Sequence, residues 1–214
     1  MNLAEAEQRR PRKERKGNAD RRRRQLLDAA RRSIVAHGLA RTTLATVANE
    51  AGLSQGVAVF YFKSKAGLLT ETLRDLYQRY EDHWMAALEN AGAAPGGRLK
   101  ALIRADFHPD ACGADVLPIW FAFWGELRSQ EQYHEVAEHF EIRRRETLLR
   151  IWQDLLPEQD ALSASQMAEW METLTDGYWQ RLHLAPGSLD RAAAEAAAWG
   201  CLVRLVPELL AETA

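Results

Sequence analysis

The sequence is poor in cysteine and has no long apolar run. Cys112 and Cys201 are too few and too far apart for a disulfide framework or a zinc site, so we expect small core residues without a function. No stretch of about 18 apolar residues occurs, and the arginine-rich start lacks an apolar segment. The sequence therefore favours neither a membrane span nor a signal peptide, and we expect a cytoplasmic protein.

Catalytic motifs are also missing. The sequence has neither a glycine-rich phosphate loop nor a nucleophile elbow. His134, Glu138 and His139 resemble part of a metalloprotease motif. However, this histidine spacing places the two rings about 140° apart on a helix, whereas zinc binding needs both on one face. We expect no catalytic residues, no metal site and no cofactor, with Glu138 and Glu141 on a solvated helix face.

The 214 residues include 47% hydrophobic residues, which is ample for a core. No segment alternates like a strand, so the pattern predicts an all-α protein of about nine helices. Charge is distributed unevenly: residues 1–65 carry 15 Lys and Arg against 6 Asp and Glu, a balance of +9, whereas residues 66–214 carry −11. A basic first third attracts phosphate, and the acidic remainder is repelled from DNA.

Residues 42–62 have the pattern of two short helices joined by a tight turn. Thr42 and Thr43 can cap the first helix, and Gly52 supplies the positive φ that ends it. Leu53 then anchors the turn, and Ser54 caps a second helix that ends near Phe62. This is the pattern of a helix-turn-helix, although helical hairpins with a glycine turn also occur in many other helical proteins.

The second helix presents a small, weakly charged surface that fits a major groove. The Gln55 amide can read adenine, Gly56 allows close backbone approach, and the methyl groups of Val57 and Val59 can meet thymine methyls. Tyr61 and Lys65 follow as phosphate contacts. The candidate DNA-binding residues are Thr42, Thr43, Ser54, Gln55, Gly56, Val57, Val59, Tyr61 and Lys65.

From Thr43 to Leu68 the sequence reads Thr-x-x-x-Val-Ala-x-x-Ala-Gly-Leu-Ser-x-Gly-x-x-x-x-Tyr-Phe-x-Ser-Lys-x-x-Leu. This pattern resembles the DNA-binding domain of the TetR family of transcriptional regulators. The resemblance implies that the second helix reads bases and that Tyr61 and Lys65 contact phosphates. Gln55 and Phe60 depart from the residues frequent in that family, and these departures concern the operator sequence.

The pattern divides the chain into three parts. Residues 1–18 are predicted to be a disordered basic tail, residues 19–65 a three-helix DNA-binding domain, and residues 66–214 a ligand-binding and dimerisation domain. The first helix should begin near Asn18 or Asp20 and end at Gly38. A long helix should run from Lys65 to just before Gly92. Further helices are expected at about 97–107, 115–130, 132–156, 163–183 and 188–211.

All seven tryptophans lie outside the predicted DNA-binding domain. Trp120, Phe123 and Trp124 are three and four residues apart, so they share one helix face and could form one wall of a cavity. Core packing is the alternative, and it is the expectation for Trp152 and Trp170. An aromatic cluster with carboxylates in reach is what a quaternary-ammonium ligand needs.

Three further segments resemble one branch of the TetR family, the BetI repressors of glycine-betaine synthesis, which respond to choline. They are residues 107–110 (Phe-His-Pro-Asp), 120–124 (Trp-Phe-Ala-Phe-Trp) and 176–182 (Asp-Gly-Tyr-Trp-Gln-Arg-Leu). The resemblance implies a choline pocket with Asp106 or Asp176 as counter-charge. Its implied lining is Trp120, Trp124 and Trp179, with Phe107 or Phe123. Tyr178, Gln180 and His183 depart from the branch, which leaves room for a different cation.

The sequence therefore predicts a ligand-controlled repressor and not an enzyme. A regulator of the efflux type with another cationic or hydrophobic effector is one alternative, and a helical small-molecule-binding protein that does not bind DNA is another. Reading a palindromic operator needs two recognition helices, so we expect a homodimer. Residues 163–183 and 188–211 carry alanine-rich, apolar faces suited to that interface, unless these faces complete the core of one chain.

Overall fold

The computed structural model describes residues 12–156 and 163–210, and it confirms the predicted all-α class. The described residues form ten α-helices and one 3-10 helix, and their only bridge is an isolated one between Pro186 and Leu189. None of these helices is long and apolar enough to cross a membrane. The helices are α1 (Arg12–Arg41), α2 (Leu44–Glu50), α3 (Gln55–Phe62), α4 (Lys65–Glu89), α5 (Pro95–Asp106), α6 (Pro109–Cys112), α7 (Leu117–Trp124), α8 (Glu131–Leu155), α9 (Ala164–Leu184) and α10 (Arg191–Leu205), followed by the 3-10 helix Pro207–Leu210.

The chain divides into two compact units within α4, between Asp75 and Leu76, whereas the sequence predicts a boundary after Lys65. The division falls later because the first turns of α4 pack in the N-terminal unit. Helix α1 begins at Arg12, earlier than predicted, because its Arg, Lys and Glu residues are good helix formers. Residues 1–11 of the predicted tail lie outside the described residues.

The N-terminal unit is a small core closed by four helices. Gly38, at φ 75°, breaks the helical geometry of α1 at the predicted position. Helix α2 packs against both α1 and α3, and the helices share a core of apolar side chains that are almost fully buried. These side chains are Leu26, Leu27, Ala29, Ala30, Val47, Ala48, Ala58, Phe62 and Leu68.

The turn between α2 and α3 follows from its sequence. The Thr43 hydroxyl accepts a hydrogen bond from Thr46 N at 3.1 Å, and Thr46 Oγ1 accepts one from Thr43 N at 2.8 Å, which forms a capping box. Gly52 takes φ 65°, and the Leu53 amide donates to Ala48 O at 2.9 Å. Ser54 stands at the N-cap of α3, but its side chain makes no capping hydrogen bond.

The C-terminal unit contains the second part of α4 and helices α5 to α10. Helix α8 packs along α9 and α5, and α10 packs against α9 and α5. Three helices differ from the sequence prediction: α7 stops at Trp124, the short α6 lies in the predicted break, and α10 spans only Arg191–Leu205. Gly125 follows α7, and Asp190 caps the start of α10 while Pro207 limits its end.

Gly67 fixes how α3 joins α4. A Cβ added at Gly67 would lie 2.3 Å from the Phe62 carbonyl oxygen, which is backbone and has little freedom to move. The Gly67 amide donates to Ser64 Oγ at 3.0 Å, which caps α4 and holds the first turn in place. The absence of a side chain at this position is therefore a requirement of the N-terminal unit.

We expect Gly67→Ala to lower the free energy of unfolding by about 1–3 kcal/mol, because the new methyl group overpacks against backbone. Gly56→Ala is the matched control: its Cβ would meet only Ser54 Oγ at 3.9 Å, so the substitution should be neutral or stabilise by up to about 1 kcal/mol. Urea unfolding followed by circular dichroism measures both. Equal stability of the two variants would contradict the packing at Gly67.

Candidate DNA-binding surface and effector cavity

The exposed side of α3 forms a small surface of mixed character. Ser54, Gln55 and Gly56 are exposed, and Val59 keeps 40% of its surface accessible. Val57 is half-buried because it packs against the core of the N-terminal unit. The first turns of α3 therefore present polar and small groups at the N-terminal end of a helix, the end that enters a major groove in helix-turn-helix proteins.

The structure corrects the assignment of Thr42 as a DNA contact. Its side chain is fully buried, and its hydroxyl donates to Gly38 O at 3.0 Å and lies 3.1 Å from Ser33 Oγ. A buried hydroxyl with internal partners closes the turn between α1 and α2 and cannot reach a duplex. Thr43 is engaged as the cap of α2, and Tyr61 is half-buried. The Lys65 ammonium donates to Ala40 O.

Two neighbours of the predicted contacts complete this surface and were missed. Phe60 is 67% exposed at the end of α3, and Lys63 Nζ lies 5.3 Å from its ring centroid. Lys63 takes φ 64°, the only positive φ at a non-glycine residue in the described chain. Its ammonium donates to Phe60 O at 2.8 Å. Lys63 could have been included among the predicted contacts from the sequence, because it is a basic residue directly after the second helix of the helix-turn-helix.

The C-terminal unit contains a cavity of about 210 Å³. Helices α4, α5, α7, α8 and α9 supply its walls, and aromatic rings form most of the apolar lining. The structure places the predicted Trp120, Trp124 and Trp179 there together. The aromatic lining residues are Tyr77, Tyr80, Trp84, Trp120, Trp124, Phe140 and Trp179.

The three tryptophans and two tyrosines form a box of ring faces and edges. Trp120 lies 6.0 Å from both Trp124 and Trp179 between ring centroids, and Trp124 and Trp179 are nearly parallel at 6.2 Å. Tyr77 and Tyr80 meet Trp120 edge-on at 4.7 and 5.9 Å. Such a box offers negative ring faces to a ligand from several directions.

Hydrogen bonds to backbone carbonyls fix two of the indoles. Trp120 Nε1 donates to Ala111 O at 3.2 Å, and Trp179 Nε1 donates to Asp106 O at 2.9 Å. Because these donors are already satisfied, the two rings are held in place and interact with a ligand through their π systems.

The structure does not bring Phe107 and Phe123 to the cavity. Phe107 is buried and packs edge-on against Tyr178 at 6.1 Å, and Phe123 is fully buried and packs edge-on against Tyr133 at 5.2 Å. The spacing places Phe123 on the same face of α7 as Trp120 and Trp124. However, this face is wide, so Trp120 and Trp124 line the cavity while Phe123 packs in the core.

Acidic groups outnumber basic groups around the cavity. Its lining includes Glu81, Asp106, Glu141, Glu172 and Asp176 against Arg144 and Arg145. Three of the acids are matched by arginines: Arg143 Nε lies 3.2 Å from Glu81 Oε1, Arg144 Nη2 donates to both Asp106 oxygens at 2.8 and 2.9 Å, and Arg145 Nε lies 3.8 Å from Glu172 Oε2. The remaining acids lie on α8 and α9 and leave this side of the cavity electronegative.

Asp106 is a structural carboxylate and not an available counter-charge. Besides Arg144, it accepts a hydrogen bond from Tyr80 Oη at 2.6 Å, and Thr175 Oγ1 lies at 3.5 Å. Burial raises the pKa of Asp106 above its ordinary value, and the Arg144 guanidinium opposes that rise. The pair is buried and carries no net charge, so it adds little attraction for a cation.

Asp176 is different because its carboxyl group remains accessible at the cavity. Enclosure by protein atoms raises the pKa of Asp176 to about 7, and the nearby carboxylates of Glu172, Asp106 and Glu141 act in the same direction. The pKa of Glu172 is also raised by burial, although Arg144 and Arg145 oppose the shift. A positive charge placed in the cavity would relieve this crowding of carboxylates.

A separate apolar groove runs between α9 and α10. Trp170, Leu174, Tyr178, Leu202 and Leu205 line it, together with Cys201, which is half-buried. Trp170 was expected in the core but is 39% exposed here, whereas Trp152 and Cys112 are buried. The groove lies on the two helices that the sequence assigns to dimerisation.

The chain thus combines a helix-turn-helix, which places a helix end in a major groove, with a cavity lined by apolar rings and a few polar groups, as small-molecule sites are. Residues 26–72 match the family of bacterial regulatory proteins, tetR family, and residues 95–207 match the BetI-type transcriptional repressor C-terminal domain. The chain belongs to the TetR family and is a transcriptional repressor with a BetI-type C-terminal domain. It is therefore a regulator and not an enzyme, and the alternative of a helical protein that does not bind DNA is wrong.

Similar proteins include the HTH-type transcriptional regulators BetI of Burkholderia ambifaria and Burkholderia thailandensis. Each is 37% identical over 177 residues, which are 81% of this chain and 88% or 87% of the relative. A transcriptional regulator from Pseudomonas aeruginosa PAO1 has a similar fold, with a TM-score of 0.79, 22% identity and 97% of both chains covered. A regulator from Saccharomonospora viridis in complex with choline has a TM-score of 0.75 and 20% identity, covering 85% of this chain and 95% of that one.

The raised pKa of Asp176 predicts a pH-dependent stability. The folded protein binds the proton more tightly than the unfolded chain, so stability is greatest below the unfolded pKa and falls as pH rises toward about 7. Asp176→Asn cannot ionise, so its melting temperature should fall less between about pH 5 and about pH 8 than that of the unchanged protein.

Thermal unfolding at the two pH values measures this difference. Glu138→Gln, on an exposed face of α8, is the control and should behave like the unchanged protein. Identical pH dependence in the Asp176→Asn variant would show that Asp176 titrates as an ordinary surface carboxylate.

Proposed function

We propose that this repressor binds a palindromic operator as a homodimer and responds to choline or a close quaternary-ammonium relative. The observation that supports the effector is the coexistence of an aromatic box and an excess of carboxylates in one cavity. Through this response the protein would control genes that convert choline to glycine betaine.

Ring faces are well suited to a quaternary ammonium group. Such a cation has no N–H donor, so an ion pair with hydrogen bonds cannot hold it, and its methyl groups pack against apolar surface. Trp120, Trp124 and Trp179 lie within 6.0 to 6.2 Å of one another and present π systems whose N–H groups are, for Trp120 and Trp179, already bonded. Tyr77 and Tyr80 add two further rings from α4.

Charge supplies the second component of recognition. Asp176 is our candidate counter-charge, because its carboxyl group is accessible and is crowded by Glu172 and Glu141. A permanent cation would favour the ionised form of Asp176 and so bind more tightly above about pH 7 than below it. Asp106 does not serve this role because Arg144 already neutralises it.

The size of the cavity favours a small effector. Its volume of about 210 Å³ is below the ~300–1,000 Å³ typical of sites for drug-sized ligands. A lipophilic dye of the efflux type would need the cavity to enlarge. The choline complex of the Saccharomonospora viridis regulator and the BetI names of the Burkholderia relatives support the same choice.

On the DNA side, we infer that Gln55, Gly56 and Val59 meet base edges, with Val57 at the margin. Ser54, Thr43, Tyr61 and Lys65 are proposed to approach the phosphates, and exposed Lys63 adds one charge that the sequence prediction omitted. Gln55 can make a bidentate contact with adenine, worth about 1–3 kcal/mol of discrimination.

The homodimer is proposed to form through α9 and α10. Their shared groove is apolar, and exposed Leu205 and half-exposed Trp170 would be covered by the same faces of a second copy. Two copies related by a two-fold axis present two recognition helices, as a palindrome requires. Regulators of this family bind operators and small-molecule effectors and are typically dimers.

Loss of one tryptophan ring from the box should weaken effector binding and leave the DNA affinity of the ligand-free protein unchanged. We expect Trp124→Ala to reduce choline affinity about 2- to 30-fold, because one cation–π contact is worth about 0.5–2 kcal/mol. Trp199→Ala is the control, since Trp199 lies outside the cavity and contacts Lys100. Calorimetric titration with choline, betaine aldehyde, betaine and a lipophilic dye measures the effect. A response to the dye alone would favour an efflux-type effector.

Sequence-specific DNA binding should depend on Gln55. A palindromic duplex selected from a random pool should bind more tightly than a scrambled duplex, with an affinity that falls steeply with salt. Gln55→Ala should reduce that discrimination by about 1–3 kcal/mol, whereas Gln153→Ala, exposed on α8, should leave it unchanged. Light scattering of the same samples should give the mass of two chains. Equal affinity for both duplexes, or a monomer at micromolar concentration, would contradict the proposal.

A further inference from the structure

A cluster of two histidines and an aspartate lies outside the cavity. His83 on α4, His108 at the N-cap of α6 and Asp110 in its first turn bring one possible ligand atom each to within 4.8 Å of one another. The two imidazole rings are 4.5 Å apart between centroids and tilted by 34°. Neither the aromatic box nor the DNA-binding surface uses these residues.

His83 is oriented as metal-bound histidines are. The Ala105 backbone, near the His83 ring, favours a protonated ring nitrogen and so acts to raise the pKa of His83, while Nε2 is buried without a partner among the described residues. A neutral His83 with its proton on Nδ1, towards this backbone, has a free lone pair on Nε2. A ligating histidine typically donates its other ring N–H to a carbonyl or carboxylate in this way.

His108 and Asp110 add two further acceptors to the cluster. The Asp110 amide donates to His108 Nδ1 at 3.2 Å, so this nitrogen also carries a lone pair, and Asp110 Oδ2 lies 3.6 Å from it. Two imidazoles and a carboxylate thus converge, and His108 Nδ1 already accepts the Asp110 amide proton. A cation satisfies such a set of acceptors.

We propose that His83, His108 and Asp110 bind a divalent first-row transition metal, for which Zn²⁺ is the probe. Imidazole ligands select this class over Mg²⁺ and Ca²⁺, which prefer oxygen ligands. Bonds of about 2.0–2.2 Å to Zn²⁺ place neighbouring ligand atoms about 3.4 Å apart, so side-chain rotation must close roughly 1 Å. The metal would replace the long Asp110 N–H contact to His108, and water would complete its coordination.

The position gives this site a structural consequence. His83 lies between the cavity residues Tyr80 and Trp84 on α4, and His108 follows Asp106 and Phe107 at the end of α5. A bound metal would join α4 to the segment that links α5 and α6. It would therefore restrain two walls of the cavity while leaving the ring faces of the box free.

The test is a Zn²⁺ titration of the untagged, metal-free full-length protein by calorimetry. We expect one tight site per chain, and His83→Ala, His108→Ala and Asp110→Asn should each weaken binding about tenfold or more. Asp110→Asn is the variant least able to disturb folding, because its side chain is 78% exposed. Absorption of bound Co²⁺ should change in each of the three variants.

The matched control is the double variant His134→Ala and His139→Ala, which removes two exposed histidines of α8. It should bind Zn²⁺ like the unchanged protein. The proposal is overturned if this control loses the tight site, or if Asp110→Asn and His108→Ala bind Zn²⁺ as well as the unchanged protein does. It does not depend on the effector, so failure of choline to bind would leave it standing.

Discussion

The buried carboxylate of Asp106 connects the helices around the cavity of the C-terminal unit. Its side chain accepts hydrogen bonds from Arg144 on α8 and Tyr80 on α4 and lies near Thr175 on α9, while its backbone carbonyl accepts one from Trp179. One residue at the end of α5 therefore ties three other helices around the cavity. Because a buried ion pair is costly when either partner is lost, this arrangement strongly constrains the position of the aromatic walls.

The ion pair between Asp106 and Arg144 also decides which carboxylates of the cavity can attract a cation. Arg144 neutralises Asp106 and lies 5.1 Å from the ring centroid of Trp84, so this part of the cavity is electrically balanced. The carboxylates of Glu141, Glu172 and Asp176 lie on the facing helices α8 and α9. A cation entering between them and the rings would meet attraction on one side and polarisable surface on the other. The cavity is thereby suited to one small, permanently charged ligand.

The helix-turn-helix and the tryptophan wall could be predicted from sequence because both depend on local spacing. Gly52 predicts the turn because glycine readily adopts the positive φ that the turn needs. Trp120 and Trp124 share a face because they are four residues apart on a helix. Tyr77 and Tyr80 were missed as cavity residues, since aromatic positions on a long helix have the same pattern whether they face a core or a cavity. The burial of Thr42 and the pairing of Asp106 with Arg144 depend on contacts between distant segments. Sequence spacing does not carry that information.

One titration tests whether effector binding and operator binding are coupled. Choline is added to the protein bound to a fluorescently labelled palindromic duplex, and anisotropy reports the bound fraction. We expect saturating choline to weaken operator binding, and the operator to weaken choline binding by the same factor, as linkage requires. Operator affinity that stays constant while calorimetry shows the protein saturated with choline would show that the two binding events are not coupled.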